Sequence, residues 1–249
     1  MNSLVRFFAL VRNPFIIFFS SLNTAFWATS LLVFGGVLPE KFRLLVGYWW
    51  SKLILLVAGV EIEVTGRENL PRGGALYVFN HTSHFDIPVA YVAVKRWLRF
   101  GAKRELFKIP FLAMGMKRMH IIPIDRSNRR KVLESYRAVY NDVTTKNNNV
   151  MLAPEGTRQQ SEKIGAFKTG PFVFAIESKC LLVPVVMCGV SDVLGKNSLI
   201  INPNHLIATV KVHILPPIDP SHFTMESLPE LQKVVHEQMV STLARLQKS

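Results

Sequence analysis

Charge is scarce in this sequence, and negative charge scarcer still. Only 19% of the 249 residues are charged, against roughly 25% in an ordinary soluble domain. Lys and Arg outnumber Asp and Glu by 30 to 17, leaving a formal net charge of +13. A basic excess of this size points to an anionic partner, either a nucleic acid or an anionic membrane surface. A hydrophobic content of 49% and a mean hydropathy of +0.23 favour the membrane. The nucleic-acid reading also lacks its usual supports: an aromatic-studded strand, zinc spacing or a basic helical run. Cysteine is nearly missing. Cys180 and Cys188, in CLLVPVVMC, are the only two, which excludes a disulfide framework and a metal site of the usual spacing. Both read as small core residues of a strand. There is no internal repeat and no low-complexity segment.

The longest gap in charge runs from Arg12 to Glu40. This stretch, NPFIIFFSSLNTAFWATSLLVFGGVLP, is long enough to span a bilayer, which takes about 20 apolar residues. Its pattern is weakly amphipathic, however. Ser20, Ser21, Asn23, Thr24 and Ser30 fall on one arc at 100° per residue, and Phe18, Phe19, Leu22, Phe26, Leu32 and Val33 on the other. Gly35, Gly36 and Pro39 break the chain before a second apolar stretch, Leu44 to Val60, which holds Tyr48, Trp49 and Trp50. Arg6 and Arg12 precede the first stretch, Lys41 and Arg43 separate the two, and Lys52 lies in the second. Positive residues stay on the cytoplasmic side. Both ends and the connection on one side give a two-helix hairpin seated in one leaflet, with its aromatic residues at headgroup level. A single transmembrane span and a cleaved signal peptide, processed near Ala25 or Ala28, are the competing readings.

Beyond Val60 short apolar runs alternate with charged helical segments. Glu61–Thr65, Ala75–Phe79, Met119–Ile124, Val150–Ala153, Leu181–Met187 and Ala208–Leu215 read as strands. Pro88–Trp97, Arg129–Tyr140, Pro171–Ser178 and Leu228–Gln247 read as helices, with Ser127 or Asn128 capping the second; Thr144–Asn149 reads as a loop. Interleaving of this kind implies one α/β domain around a single mixed sheet, residues 61–249, behind a membrane-associated segment, residues 1–60.

Two short stretches carry chemistry. Tyr77 to Val89 reads YVFNHTSHFDIPV, where a buried strand feeds a polar loop and then a helix. Ligands of open α/β sheets bind outside the carboxyl ends of strands. His81 and Asp86 form H-x-x-x-x-D: an imidazole able to take a hydroxyl proton, and a carboxylate able to fix its tautomer. The plainer reading makes Ser83 a helix cap, with Asp86 completing a capping box. A metal site on His81 and His84 lacks further ligands. The second stretch, Pro154 to Arg158, reads PEGTR and follows another buried strand. Gly156 permits close backbone approach. The Arg158 fork suits phosphate. Glu155 can hold that guanidinium or a substrate hydroxyl. A turn with a surface ion pair is the plainer reading. A two-histidine phosphoesterase, with His81-Thr82-Ser83 and His222-Phe223-Thr224, is a rival whose second motif is not on a strand.

In order along the chain, four blocks resemble the glycerolipid acyltransferase family, and its bacterial 1-acyl-sn-glycerol-3-phosphate type most of all. They are Asn80–Asp86; Ala102-Lys103-Arg104-Glu105-Leu106 with Lys108-Ile109-Pro110; Pro154–Arg158 with Phe167-Lys168-Thr169-Gly170; and Val183-Pro184-Val185. The resemblance implies that His81 is the general base for an acceptor hydroxyl and that Asp86 orients it. It implies that Lys103 and Arg158 neutralise the acceptor's phosphate, with Glu155, Gly156 and Thr157 shaping that site. The acceptor is then lysophosphatidic acid and the product phosphatidic acid, with glycerol 3-phosphate or another lyso-phospholipid as the alternative acceptor. The donor is acyl-CoA or acyl carrier protein, and no cofactor, metal or acyl-enzyme is needed. The expected place is the cytoplasmic face of the cytoplasmic membrane, against anionic lipid and without nucleic acid.

Overall fold

A computed structural model describes residues 3–34, 40–198, 200–202 and 206–248. The Gly35-Gly36 and Pro39 break lies outside them. The helices are α1 (Ser3–Phe34), α2 (Glu40–Ala58), α3 (Asp86–Val94), α4 (Pro110–Arg118), α5 (Arg129–Arg137), α6 (Tyr140–Thr145), α7 (Gly170–Ser178), α8 (Val190–Val193) and α9 (Leu228–Leu246). The strands are β1 (Val60–Thr65), β2 (Leu76–Phe79), β3 (Leu98–Lys103), β4 (Ile122–Ile124), β5 (Asn149–Leu152), β6 (Leu182–Cys188) and β7 (Ala208–Ile214).

All seven strands join one mixed sheet in the order β1-β7-β6-β2-β5-β3-β4. β6, β2, β5, β3 and β4 run parallel to one another, whereas β7 is antiparallel to β6 and carries β1 with it. The central strand β2 is LYVF and wholly buried. Alternation sends Tyr77 and Phe79 to one face and Leu76 and Val78 to the other, so each face has its own core. One core is closed by α1, α2 and α3. The other is closed by α5, α7 and α9. In α9 the buried Leu231, Val235, Met239 and Leu243 recur every four residues. Each contributes about 1.5–3 kcal/mol on burial.

β3 and α4 do not stand out in the sequence. Gly101 interrupts the alternation of LRFGAK, and Arg99 falls where an apolar residue is expected. Arg99 is buried because Asp142 on α6 pairs with it at 2.5 Å. Gly101 leaves β3 close to β5, since a Cβ there would meet Leu152 at 2.9 Å. The segment read as a loop from Thr144 is entered by the end of α6. α3 starts earlier than Pro88 and ends before Trp97. Asn128, not Ser127, caps α5 by accepting from Lys131 N–H at 3.2 Å. Of the two cysteines, Cys180 is core and Cys188 is half-exposed beside Glu162, where burial first and that carboxylate second push its thiol up to about 11.

α1 buries Ile16, Ala28 and Leu31 but exposes a second apolar face. Phe15, Phe18, Leu22 and Phe26 point outward and are each more than half exposed, while Asn13 and Asn23 are buried. Asn23 donates to Trp50 carbonyl on α2 at 3.0 Å, and Thr24 accepts from the Trp50 indole at 3.0 Å. The polar arc thus joins the two helices and the apolar arc is left facing outward. Leu10–Phe34 is also long and apolar enough to cross a membrane.

Candidate active site

Five parallel strands bring their carboxyl ends to one sheet edge, and the loops that carry the two motifs leave β2 and β5 there. β2 is extended past its last residue by a side chain. Buried Asn80 donates to Met187 carbonyl and accepts from Met187 N–H, both at 2.8 Å. The amide replaces one rung of the β2–β6 ladder and fixes where the next residue, His81, begins. Nothing in the sequence reading gave Asn80 a part, although a polar residue directly after an all-apolar strand is a signal.

His81 Nδ1 lies 2.6 Å from Asp86 Oδ2, and the Asp86 side chain is fully buried. The same oxygen accepts from Thr82 and Ser83 N–H at 2.9 and 3.0 Å. A carboxylate can only accept, so the proton of a neutral imidazole stays on Nδ1 and the lone pair on Nε2. Asp86 is the first residue of α3, where backbone N–H groups favour negative charge. Its carboxylate accepts from the Thr82 and Ser83 N–H groups ahead of the helix and from no helical N–H, so it faces the imidazole loop and does not cap α3. Ser83 is not the cap: Phe85 holds that position. Ser83 Oγ donates to Leu194 carbonyl at 2.7 Å and accepts from Phe85 N–H at 3.1 Å, so the hydroxyl is engaged away from the imidazole.

The PEGTR loop is tied directly to His81. Glu155 Oε2 accepts from His81 N–H at 3.1 Å, and Gln159 N–H donates to His81 carbonyl at 2.7 Å. Glu155 Oε1 accepts from Gly165 N–H at 3.0 Å. Both carboxylate oxygens thus accept from backbone groups, and the residue also lines the cavity beside the loop. Glu155 is buried, and burial raises its pKa despite those donors. Gly156 sits at φ 73°, a left-handed turn that Gly adopts without a steric cost. Its N–H closes the turn on Ala153 carbonyl at 3.1 Å.

Arg158 pairs with no carboxylate among the described residues, and with His81 it is near enough to His84 to oppose protonation there. Burial is the larger cause of the lowered His84 pKa. Lys103 ends β3, two strands from β2, which is roughly 10 Å along the edge at 4.8 Å per strand. It is half-exposed and 3.8 Å from Glu105. The edge therefore gathers His81, Asp86 and the PEGTR loop in direct contact and leaves Lys103 to the side. Gly156 and Thr157 line a cavity of about 600 Å³, with Arg126, Arg129 and Lys168 around it. Arg126 follows β4 on the same edge; in the sequence it belongs to the cluster Arg126, Arg129, Arg130 and Lys131, which reads as a solvated helix face. Arg129 reaches Thr169 Oγ1 at 3.3 Å.

The fourth block, Val183-Pro184-Val185, is buried in β6 beside β2. The other H-x-T sequence lies elsewhere: His222 follows Ile218, which bridges Leu182 at the opposite end of β6. No group of three or more metal-ligating side chains occurs among the described residues.

Comparison with known proteins gives a consistent result. The acyltransferase family model matches residues 61–188. A protein named 1-acyl-sn-glycerol-3-phosphate acyltransferase from Limnanthes douglasii is 28% identical over 211 residues, spanning 82% of this chain and 71% of that protein. One of the same name from Salmonella typhimurium is 28% identical over 239 residues, spanning 92% of this chain and 94% of that protein. In fold, the chain is similar to the crystal structure of the 1-acyl-sn-glycerophosphate acyltransferase PlsC from Thermotoga maritima. The TM-score is 0.83 at 24% identity, over 98% of both chains.

Proposed function

This chain belongs to the acyltransferase family, and on that footing we propose that it transfers a fatty acyl group from a thioester to the sn-2 hydroxyl of 1-acyl-glycerol 3-phosphate. The relatives that span most of the chain bear that activity in their names. The observation that carries the reading is the His81–Asp86 pair at 2.6 Å, hydrogen-bonded through Glu155 and Gln159 to the loop bearing Arg158. Base and phosphate fork are held in one unit.

His81 Nε2 takes the proton of the acceptor hydroxyl as its oxygen attacks the thioester carbonyl. Asp86 holds the imidazolium that forms. The tetrahedral intermediate collapses, the C–S bond breaks, and the imidazolium returns the proton to the leaving thiolate. General-base help of this kind contributes about 10²–10⁴-fold. Arg158 and Lys103 neutralise the acceptor's phosphate, with Gly156 and Thr157 shaping the turn beside it and Arg126 adding charge across the cavity. The incoming acyl chain has an apolar cavity of about 220 Å³, lined by Tyr91 and Phe100 among others. The outward apolar arc of α1 seats the protein in the cytoplasmic leaflet, with its basic surface against anionic lipid. Lipid substrate and product then stay in the bilayer, which avoids about 0.8 kcal/mol per CH₂ of exposure to water.

The test is an acceptor and donor panel on the purified protein. The reading requires 1-acyl-glycerol 3-phosphate to be acylated at least about tenfold more efficiently than monoacylglycerol or glycerol 3-phosphate, a difference of about 1.4 kcal/mol in transition-state binding. Parallel reactions with acyl-CoA and acyl carrier protein identify the donor. Preference for glycerol 3-phosphate would move the assignment to the other acceptor of the family.

A further inference from the structure

The product of the proposed reaction has two fatty chains, and two apolar cavities adjoin each other on the α1 side of the sheet. The smaller lies between α1, α2, α3, β3 and α4. The larger, about 660 Å³, is an open groove along α1 from Ile16 to Ala28, a length of roughly 18 Å at 1.5 Å per residue. Phe111, Leu112, Ile87 and Trp50 line both and form the wall between them. The groove alone reaches the motif loop, at His84 and Phe85.

We propose that this groove holds the fatty chain already present on the acceptor, leaving the smaller cavity to the incoming chain. The inference rests on the function proposed above and adds a subsite to it. Three observations support the choice of occupant. First, the groove is continuous with the bilayer-facing arc of α1, where Ile17, Phe18 and Leu22 are exposed, so a lipid chain can enter sideways without crossing water. Second, two of the hydroxyls on its α1 wall are already bonded within the helix, beside Ile16, Ile17, Ala25 and Ala28. Ser21 Oγ donates to Ile17 carbonyl at 2.8 Å and Thr24 Oγ1 to Ser20 carbonyl at 2.7 Å. Third, the groove ends on the loop that carries His81, with Arg158 close to His84. A lysolipid with its chain in the groove then has its glycerol at His81 and its phosphate toward Arg158.

The test has two arms. Ser21→Trp fills the groove from an exposed position that does not line the smaller cavity. It is expected to raise KM about tenfold for a long-chain acceptor and less than about twofold for a short-chain, water-soluble one, with donor chain preference unchanged. Equal effects on both acceptors, or a shift in donor preference, overturn the assignment. Independently, a lysophosphatidic acid with a diazirine at its chain end is bound to the wild-type protein in phosphatidylglycerol-containing vesicles and irradiated. Labelling at Ser20, Ser21, Ala25 or Ile109 supports the groove. Labelling at Tyr91, Phe100 or Met119, or only on outward-facing Phe18 and Phe26, overturns it while the acyl transfer reading stands. A diazirine lipid that the wild-type protein does not acylate removes that reading, and the subsite with it.

Discussion

His81, Arg158, His84 and Asn80 differ in what their removal should change, because they differ in what they touch. Arg158→Ala and Lys103→Ala should raise KM for the phosphorylated acceptor, Arg158 by about 10-fold or more and Lys103 by less, since Lys103 is half-exposed and partly screened. Steady-state kinetics with phosphorylated and unphosphorylated acceptors check this; equal loss on both would remove the phosphate role. His84 titrates below its ordinary 6.5 because burial, Arg158 and His81 all oppose its charge. The unfolded chain therefore binds that proton at higher pH than the folded chain, and stability falls as pH drops through 6.5 toward the folded value. His84→Gln should flatten this loss. Denaturant midpoints at pH 7.5 and 5.5 measure it, and an unchanged slope would show that His84 does not contribute. Asn80→Ala leaves the buried N–H and carbonyl of Met187 without partners and should cost about 2 kcal/mol or more. A thermal midpoint within a degree of wild type would contradict that role.

At the scale of elements, the sequence was readable wherever period and burial agree. β2, β5 and β6 are nearly continuous apolar runs because both sheet faces are covered, and β1 and β7 alternate because they lie toward an edge. β3 was hidden because its burial depends on partners far along the chain: Asp142 compensates Arg99, and Leu152 fills the space above Gly101. The same distance effect explains the site. His81, Asp86 and Arg158 could be picked from local motifs, whereas the turn of Glu155 toward His81 and Gly165 N–H depends on how two loops meet. Arg126 looked like one more solvated basic residue, since its place at the cavity comes from β4 pairing with β3 at the end of the sheet. α1 makes its own prediction. Its outward Phe18 and Phe26 are the surface offered to lipid, so Phe18→Glu with Phe26→Glu should reduce partitioning to phospholipid vesicles several-fold, with α-helix content unchanged by circular dichroism. Vesicle flotation unaffected by both charges would rule out this face as the seat.

The whole molecule places one sheet edge, bearing His81 and Arg158, beside an apolar groove along its N-terminal helix. That arrangement suits a reaction whose acceptor has a charged head and a greasy tail. The surplus of positive charge adds a dependence on ionic strength. Binding to anionic vesicles should weaken between 0.1 and 0.5 M salt as the screening length falls below about 10 Å, while the apolar seat of α1 persists. The proposed acyl transfer depends on His81 acting as the base. The decisive measurement is single-turnover acyl transfer to lysophosphatidic acid by His81→Ala beside wild type, with thermal midpoints for both. The rate should fall by about 10²–10⁴-fold or more at an unchanged midpoint; transfer at a near-wild-type rate would contradict the mechanism outright.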